Sequence, residues 1–309
     1  VVRTMKELWV EKYRPKDVKG YVFRDEHQRK QVEQWIKDGT IPHLLFSGNA
    51  GIGKTTLAKI LLNQLEVNDL DVLEINASRT NSVEDVRDKV VNFVQMIPFG
   101  EFKVVLLDEA DYLSPNAQAA LRGVMEEYHT TSRFILTCNY PNRIIPALHS
   151  RCQGFHIERI DQTEFTARVA EILIAEEITP DIDTLDTYVK ATYPDLRKCI
   201  NMVQMNSVSG ELVPPEKSDT GESDWKLEMT ELFKAGQISK ARKLVCSQAR
   251  PEEIEDVYKW LYDNIDLFGD EAKQESAILI IKQGLVDHTL VSDPEINLAA
   301  TMIRLARMK

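Results

Sequence analysis

The sequence holds little of what marks a disulfide scaffold, a membrane protein or a nucleic-acid coat. Its four cysteines, Cys138, Cys152, Cys199 and Cys246, lie far apart with no C-x-x-C pair. That spacing excludes a cysteine-rich zinc module, supplies no disulfide framework, and is the usage of reduced thiols in a cytoplasmic protein. No apolar run is long enough to span a bilayer. The stretch from Val1 has no apolar core of signal-peptide type. A basic excess is also missing: 38 Lys and Arg stand against 49 Asp and Glu, a net charge of −11 over 309 residues. Taken whole, that balance argues against a protein that coats nucleic acid and against a basic membrane-surface helix. The balance is uneven, however. Residues 1–157 carry 20 basic and 20 acidic side chains, and residues 158–309 carry 18 and 29. All of the excess acid lies in the second half, as expected of regions with different partners.

The first half alternates short β-branched runs with helical patterns. Strands are expected at His43–Ser47, Val72–Asn76, Lys103–Leu107, Arg133–Cys138 and, more weakly, Gly154–Ile157. Continuous apolar runs of this kind suit a parallel sheet buried on both faces, and the alternation predicts an α/β doubly wound domain. After about Glu158 the strand signals stop. Helices are expected at Thr163–Glu176, Ile182–Thr192 and Asp195–Ser207, a linker at 207–224, and helices again from Trp225. Within that last stretch Gly236 reads as a helix stop, Pro251 as a start, and Asp293-Pro294 as an N-cap followed by a first-turn proline. The expected division is therefore 1–157, 158–210 and 211–309.

Gly48-Asn49-Ala50-Gly51-Ile52-Gly53-Lys54-Thr55 fits G-x-x-x-x-G-K-[ST] between an expected strand and an expected helix, the context that gives the pattern meaning. The glycines let backbone N–H groups curl around a phosphate, and the helix N-terminus adds its dipole. Lys54 is then the contact to the β and γ phosphates, and the Thr55 hydroxyl a ligand for Mg²⁺. A dinucleotide fingerprint fails, because the third glycine would fall at Thr56, which instead continues the nucleotide-binding loop. Asp108 and Glu109 end the third strand, at the crevice edge of the sheet. Asp108 is placed to hold Mg²⁺ and Glu109 to activate a water for attack on the γ-phosphate. Asn139, ending the next strand, either bonds that water or the γ-phosphate or caps the following turn. The reading is an ATPase using ATP and Mg²⁺.

Further residues carry a family resemblance. Glu11-Lys12-Tyr13-Arg14-Pro15, the phosphate loop, Asn76-Ala77-Ser78, Asp108-Glu109, Ser150-Arg151-Cys152 and Pro194-Asp195-Leu196-Arg197-Lys198 together resemble the ATPase subunits of sliding-clamp loaders, within the AAA+ superfamily. The resemblance covers residues 8–206 well and the C-terminal helices in kind. The linker and Tyr193-Pro194-Asp195 resemble a tailed-phage loader as much as the replication factor C small subunit. The resemblance implies an AAA+ P-loop NTPase domain with a five-stranded parallel sheet, a small helical lid and a helical collar that joins subunits. It implies a subunit of a ring-like pentamer, either homomeric or hetero-oligomeric with a distinct second subunit, that opens a sliding clamp and places it on primer-template DNA during replication. The compartment is then cytoplasmic in a bacterial, archaeal or phage-infected cell, or nuclear in a eukaryote, with no membrane role.

The resemblance also implies residue roles. Tyr13, Arg14 and Pro15 line the adenine pocket. Arg151 is an arginine finger acting in the neighbouring subunit's site, where a cation meets the charge developing on the transferred phosphoryl group. Arg197 is the lid arginine touching the γ-phosphate in its own subunit. Gln118 resembles the residue that couples DNA to the Asp-Glu pair. A helix opening at a Ser82–Asp85 capping box has Val83, Val86, Val90, Val94 and Ile97 on one face. Its start, with Ser82 and Arg87, is a candidate DNA-phosphate contact. Its far end, Met96, Ile97 and Phe99, is either a clamp-binding tip or core. A second helix from Ser114-Pro115 buries Ala117, Leu121, Val124 and Tyr128. Gln118 and Arg122 share a face of it, with Arg122 either a DNA-phosphate contact or part of a solvated polar surface. Two rivals stand beside the loader: another AAA+ DNA-remodelling ATPase of the branch-migration helicase kind, and a scaffold subunit that binds ATP without hydrolysing it.

Overall fold

The computed structural model describes residues 7–79, 83–157, 159–179, 181–208, 210–214 and 225–308. These divide into two compact units, one of the described residues of Val1–Glu177 with Tyr193–Gln204, the other of Ile178–Thr192 with Met205–Lys309. The expected 158–210 segment is thus shared between the units. Among the described residues no helix is long and apolar enough to cross a membrane.

The elements follow in chain order. They are α1 (Trp9–Lys12), α2 (Glu26–Asp38), β1 (Leu44–Gly48), α3 (Lys54–Gln64), β2 (Val72–Asn76), α4 (Val83–Gln95), β3 (Lys103–Asp108) and α5 (Pro115–Glu127). Then come β4 (Ser132–Cys138), α6 (Pro146–His149), β5 (Gln153–Ile157), α7 (Gln162–Ala175), α8 (Ile182–Thr192), α9 (Leu196–Met205), β6 (Ser207–Val208) and β7 (Glu211–Leu212). The chain closes with α10 (Trp225–Lys234), α11 (Ile238–Gln248), α12 (Ile254–Asp263), α13 (Glu271–His288) and α14 (Pro294–Ala306).

In the first unit β1 to β5 form one parallel sheet in the order β2-β3-β4-β1-β5, the α/β fold expected from the strand–helix alternation. β1 is buried along its length and β3 along all but its last residue, because helices cover both faces. On one face Leu45, Val105, Leu107, Phe134 and Leu136 pack with Val86, Val90 and Val94 of α4 and Ala117, Leu121 and Val124 of α5. On the other, Phe155 meets Phe46 at 5.5 Å and Trp35 at 5.8 Å between ring centroids. Ser114 caps α5 by accepting from the Ala117 N–H at 3.3 Å, as the Ser-Pro start predicts.

Three expectations are corrected. Strands do recur after residue 158: β6 and β7 pair antiparallel around Gly210 at φ 85°, and two-residue strands are too short to leave a periodic pattern. Ile97 does not continue the buried face of α4, which ends at Gln95; it is 88 % exposed and Phe99 is 73 % exposed, so neither is core. Tyr128 lies just past the end of α5 and is only half-buried. The Ser82–Asp85 capping box lies outside the described residues, save for the backbone from Val83.

A buried ion pair braces the segment between α4 and β3. Lys103 and Asp71 are both buried, with Nζ 3.2 Å from Oδ1. The Asp71 carboxylate also accepts from the Phe99 N–H at 3.0 Å and the Gly100 N–H at 2.7 Å, and the ammonium lies 4.3 Å from the Phe93 ring centroid. Burial alone would raise the Asp71 carboxyl; the Gly100 and Phe99 N–H groups and Lys103 outweigh it and hold the carboxyl below its ordinary value.

In the second unit Phe233, Val257, Tyr258, Leu261, Ala277, Ile281, Leu298 and Met302 form a helical core. Where α13 meets α14, Asn297 Nδ2 donates to Gly284 O and to Tyr258 Oη, both at 2.8 Å. A Cβ on Gly284 would stand 2.5 Å from Thr301 Oγ1 and 2.7 Å from Tyr258 Cε1, so this close approach requires glycine.

Two stability outcomes follow. Asp71→Ala leaves the Lys103 charge buried and unpaired and is expected to cost about 3–5 kcal/mol in urea unfolding. Because the folded carboxyl titrates below the unfolded one, its contribution is present above about pH 4 and is lost as pH falls, so the gap to the parent narrows in acid. Gly284→Ala is expected to lose about 1–3 kcal/mol by overpacking, read as a lower urea midpoint for the transition of the second unit.

Candidate active site

The strand order fixes what can meet. All five strands run parallel, so their C-terminal ends share one edge. β4 lies between β1, which feeds the phosphate loop, and β3, which ends in Asp108. At Gly48 (φ 144°) a Cβ would collide with the Ile157 carbonyl, and at Gly51 (φ 76°) with the Asp195 carboxylate. The first glycine therefore lets β1 pass the end of β5, and the second admits the cap of α9 against the loop. Asn49 and Ala50 are exposed, whereas Ile52 is buried.

Lys54 opens α3 and is 8 % exposed. Its ammonium donates to Gly48 O at 2.8 Å, Asn49 O at 2.6 Å and Asn139 Oδ1 at 2.8 Å, matching its three protons. Burial lowers its pKa to about 8, against the opposing pull of Asp108 and Asp111. Thr55 Oγ1 donates to Asp108 Oδ1 at 2.6 Å, and Thr137 Oγ1 donates to the same oxygen at 2.7 Å. Thr137 Oγ1 in turn accepts from the Glu109 N–H at 3.0 Å. Glu109 has φ 57° and ψ 44°, a left-handed conformation uncommon for a non-glycine residue and found disproportionately at functional sites. Beneath, buried Asp111 accepts from the Asn139 and Tyr140 N–H groups at 3.2 and 3.1 Å, while its Oδ1 has no partner among the described residues.

Lys54, Thr55, Asp108, Glu109 and Asn139 are thus brought together. Among the described residues no three His, Cys, Asp or Glu side chains cluster to hold a metal ion. One hydroxyl and one carboxylate, Thr55 and Asp108, suit Mg²⁺, which takes few protein ligands and completes its octahedron with phosphate oxygens and water.

A cavity adjoins the loop. Tyr13, Arg14, Pro15, Gly51, Gly53, Thr56 and Arg197 are among its walls. Tyr13 Oη donates to Glu176 Oε1 at 2.7 Å, Lys12 Nζ reaches the same oxygen at 2.6 Å, and Arg168 donates to Tyr13 O at 2.9 Å. Arg14 is bidentate on Glu11. These bonds hold the α1 segment against α7. Arg197 faces the cavity, whereas the Lys198 N–H is taken up in the Asp195 cap at 2.9 Å.

Arg151 is not brought to this site. It lies two residues before β5, whose Gln153 registers with Leu44 at the start of β1. The phosphate loop follows the other end of β1, about 13 Å along the strand. Arg151 instead pairs with Glu126, which also accepts from Arg122 Nε at 3.1 Å. Gln118 and Arg122 do not share an environment, as their spacing implied. Arg122 is exposed, but Gln118 is 1 % exposed. Gln118 Nε2 donates to Leu113 O and Arg143 O, both at 3.0 Å, and its Oε1 accepts from the Ile145 N–H at 2.8 Å. It therefore ties the loop after β3 to the loop leading to Arg151, and a solvated polar face is excluded for it. Arg87 and Met96 are exposed, and Ser82 lies outside the described residues.

Thr137, Asp111 and Glu176 escaped the sequence reading. Thr137 had a usable signal, two residues before Asn139 and so on the same face of a strand. Asp111 and Glu176 had none.

The family described as "ATPase family associated with various cellular activities (AAA)" matches residues 44–160. The replication factor C small subunit of Sulfurisphaera tokodaii is 35 % identical, with 97 % of this chain and 95 % of that protein covered. That of Methanococcus vannielii is 36 % identical over 77 % of this chain and 78 % of that protein. Among solved structures, the Thermotoga maritima RuvB Holliday junction branch migration motor aligns with TM-score 0.56 at 16 % identity, covering 72 % of this chain and 73 % of that one. A point variant of the same RuvB reaches TM-score 0.58 at 15 % identity, covering 82 % and 91 %. The RuvB likeness establishes the AAA+ fold alone and does not favour a branch-migration role. On the relatives' identity and coverage, the chain belongs to the replication factor C small subunit family, the ATPase subunits of clamp loaders.

Proposed function

We propose that this subunit hydrolyses ATP at the edge where β1, β3 and β4 end, and that the site is completed by a second subunit. One observation carries the reading: Lys54, Thr55, Asp108, Glu109 and Asn139 converge on that edge while Arg151 lies at the opposite one. Phosphates bound by the loop take over acceptor roles toward Lys54, whose proton at neutral pH is retained despite burial. Thr55 and Asp108 would hold Mg²⁺, which would supply charge neutralisation to the bound polyphosphate. Thr137 fixes the backbone of Glu109 so that its carboxylate takes a proton from the attacking water. Asn139 orients that water or the γ-phosphate, and Arg197 meets the γ-phosphate from α9. Tyr13, Arg14 and Pro15 border the base. Arg151 of a neighbouring copy meets the charge that develops in transfer, which ties turnover to assembly.

The partners proposed are a sliding clamp, primer-template DNA and further loader subunits in a pentameric ring. Met96, Ile97 and Phe99 form an exposed apolar tip suited to a greasy pocket on the clamp. Arg87 and Arg122 are candidate phosphate contacts, with Ser82 five residues before Arg87 in sequence. Gln118 is positioned to relay DNA contact to the loop after Glu109. The three-part division into AAA+ domain, lid and collar is retained as a proposal. Exposed Leu279, Leu290 and Ile296 on and beside the last two helices support a collar that joins copies.

Steady-state ATPase assays with primed DNA and clamp test the assignment. Lys54→Ala and Glu109→Gln are each expected to lower stimulated turnover about a hundredfold or more, with circular dichroism unchanged; parental rates in either variant refute it. Arg151→Ala is expected to bind ATP as the parent does but to lose about a thousandfold in turnover within the assembly. A normal rate there would remove the role in trans, and an inert parent with all partners present would favour the scaffold reading.

A further inference from the structure

Gln204 belongs to no role assigned above, yet it holds one wall of the cavity beside the phosphate loop. That cavity takes Leu196, Arg197 and Ile200 from α9, and Val10, Tyr13 and Pro15 from the arm of chain that precedes α2. Gln204 lies four residues past Ile200 and so continues the same face of α9 one turn further. Its side-chain amide bonds the main chain of the arm twice. Oε1 accepts from the Trp9 N–H at 3.0 Å, and Nε2 donates to Glu7 O at 2.9 Å. The two bonds bracket Leu8 and use both the donor and the acceptor of the amide. Neither a carboxylate nor an apolar side chain can form both.

The arm needs such an anchor. α1 has only four residues, far below the length at which a helix holds itself in water. Leu8 at its N-cap makes no side-chain cap bond, so the Trp9 N–H, an orphan donor of the first turn, is satisfied from α9 by Gln204. At the other end Tyr13 is held by Arg168 of α7 and by Glu176 just past it. Trp9 itself is buried, so the clasp closes on a packed segment. The spacing between the arm and α9 is therefore set at both ends, and the apolar side chains on either side suit a flat aromatic base. We propose that Gln204 is a positioning residue for the bound purine: by clasping the arm to α9 it sets the width of the slot that the base enters, without touching the nucleotide. The inference rests on the nucleotide reading of this cavity. It makes affinity for the base, rather than for the polyphosphate, depend on the clasp.

Calorimetric binding of ATP and of inorganic tripolyphosphate to the parent and to Gln204→Met, with thermal unfolding of each without nucleotide, tests it. Methionine keeps the length of the side chain and removes both bonds. The variant is expected to bind ATP about three- to tenfold more weakly and to bind tripolyphosphate as the parent does. Gln204→Glu keeps the acceptor for Trp9 but loses the donor to Glu7 O; it is expected to lose affinity in the same direction, and it carries the test should the methionine variant not fold. Undiminished ATP affinity in the folded variants overturns the clasp. An equal loss for tripolyphosphate overturns the base as its target, since a general loosening of the fold would weaken both ligands alike. A parent that binds tripolyphosphate but gains nothing from the nucleoside overturns the cavity reading itself, a result distinct from an indifferent variant.

Discussion

An ammonium taken out of water must be given acceptors, and the sheet edge where the strands end is arranged around that demand. Lys54 is nearly buried, and its acceptors come from two backbone carbonyls of its own loop and from Asn139. The third can reach it only because β4 lies beside β1. The same adjacency, on the other side of β4, brings Thr137 to Asp108 and Glu109. One strand order therefore serves charge burial and the placement of the proposed metal ligands and of the proposed general base together. Bonds to buried Lys54 and Thr137 cannot be cut without leaving a buried polar group unpaired, which favours a single arrangement of the network.

The legible parts of the chain were those whose chemistry is contiguous. The phosphate loop uses consecutive residues from Gly48 to Thr56, so spacing alone reveals it. The three central strands β1, β3 and β4 are apolar runs buried on both faces and announce themselves, whereas the edge strands β2 and β5 are partly exposed and carry a weaker pattern. Asp111 and buried Gln118 act through neighbours distant in sequence, and no local period points to them; Thr137 was within reach only through its two-residue spacing to Asn139. Gln118 is instructive: four residues from exposed Arg122, it turns inward because three backbone groups of two loops need its amide. Ile97 shows the converse error. It keeps the arithmetic of the α4 face, but the helix has already ended, so the period continues where the geometry does not.

The apolar tip and its anchor illustrate how exposure is held in place. Met96, Ile97 and Phe99 present greasy surface to solvent, which a mobile loop would tend to fold away. Asp71 grips the backbone at Phe99 and Gly100 from beneath, and Lys103 neutralises it. The buried charge pair is thus spent on the shape of one loop, consistent with preorganisation lowering the ordering cost of binding.

Arg151 at the strand-entry edge and the phosphate loop at the strand-exit edge give the subunit a front and a back. Copies that each lend the arginine to the next must stack head to tail, since a two-fold pairing would set like edge against like. In an arc that does not close, the site at one end then lacks a donor and the arginine at the other end lacks a recipient. Such an arc has one fewer complete site than it has members, and its two ends are chemically unlike. On the proposed role of Arg151, a direction would be written into such an assembly by nothing more than which end of a strand each residue occupies.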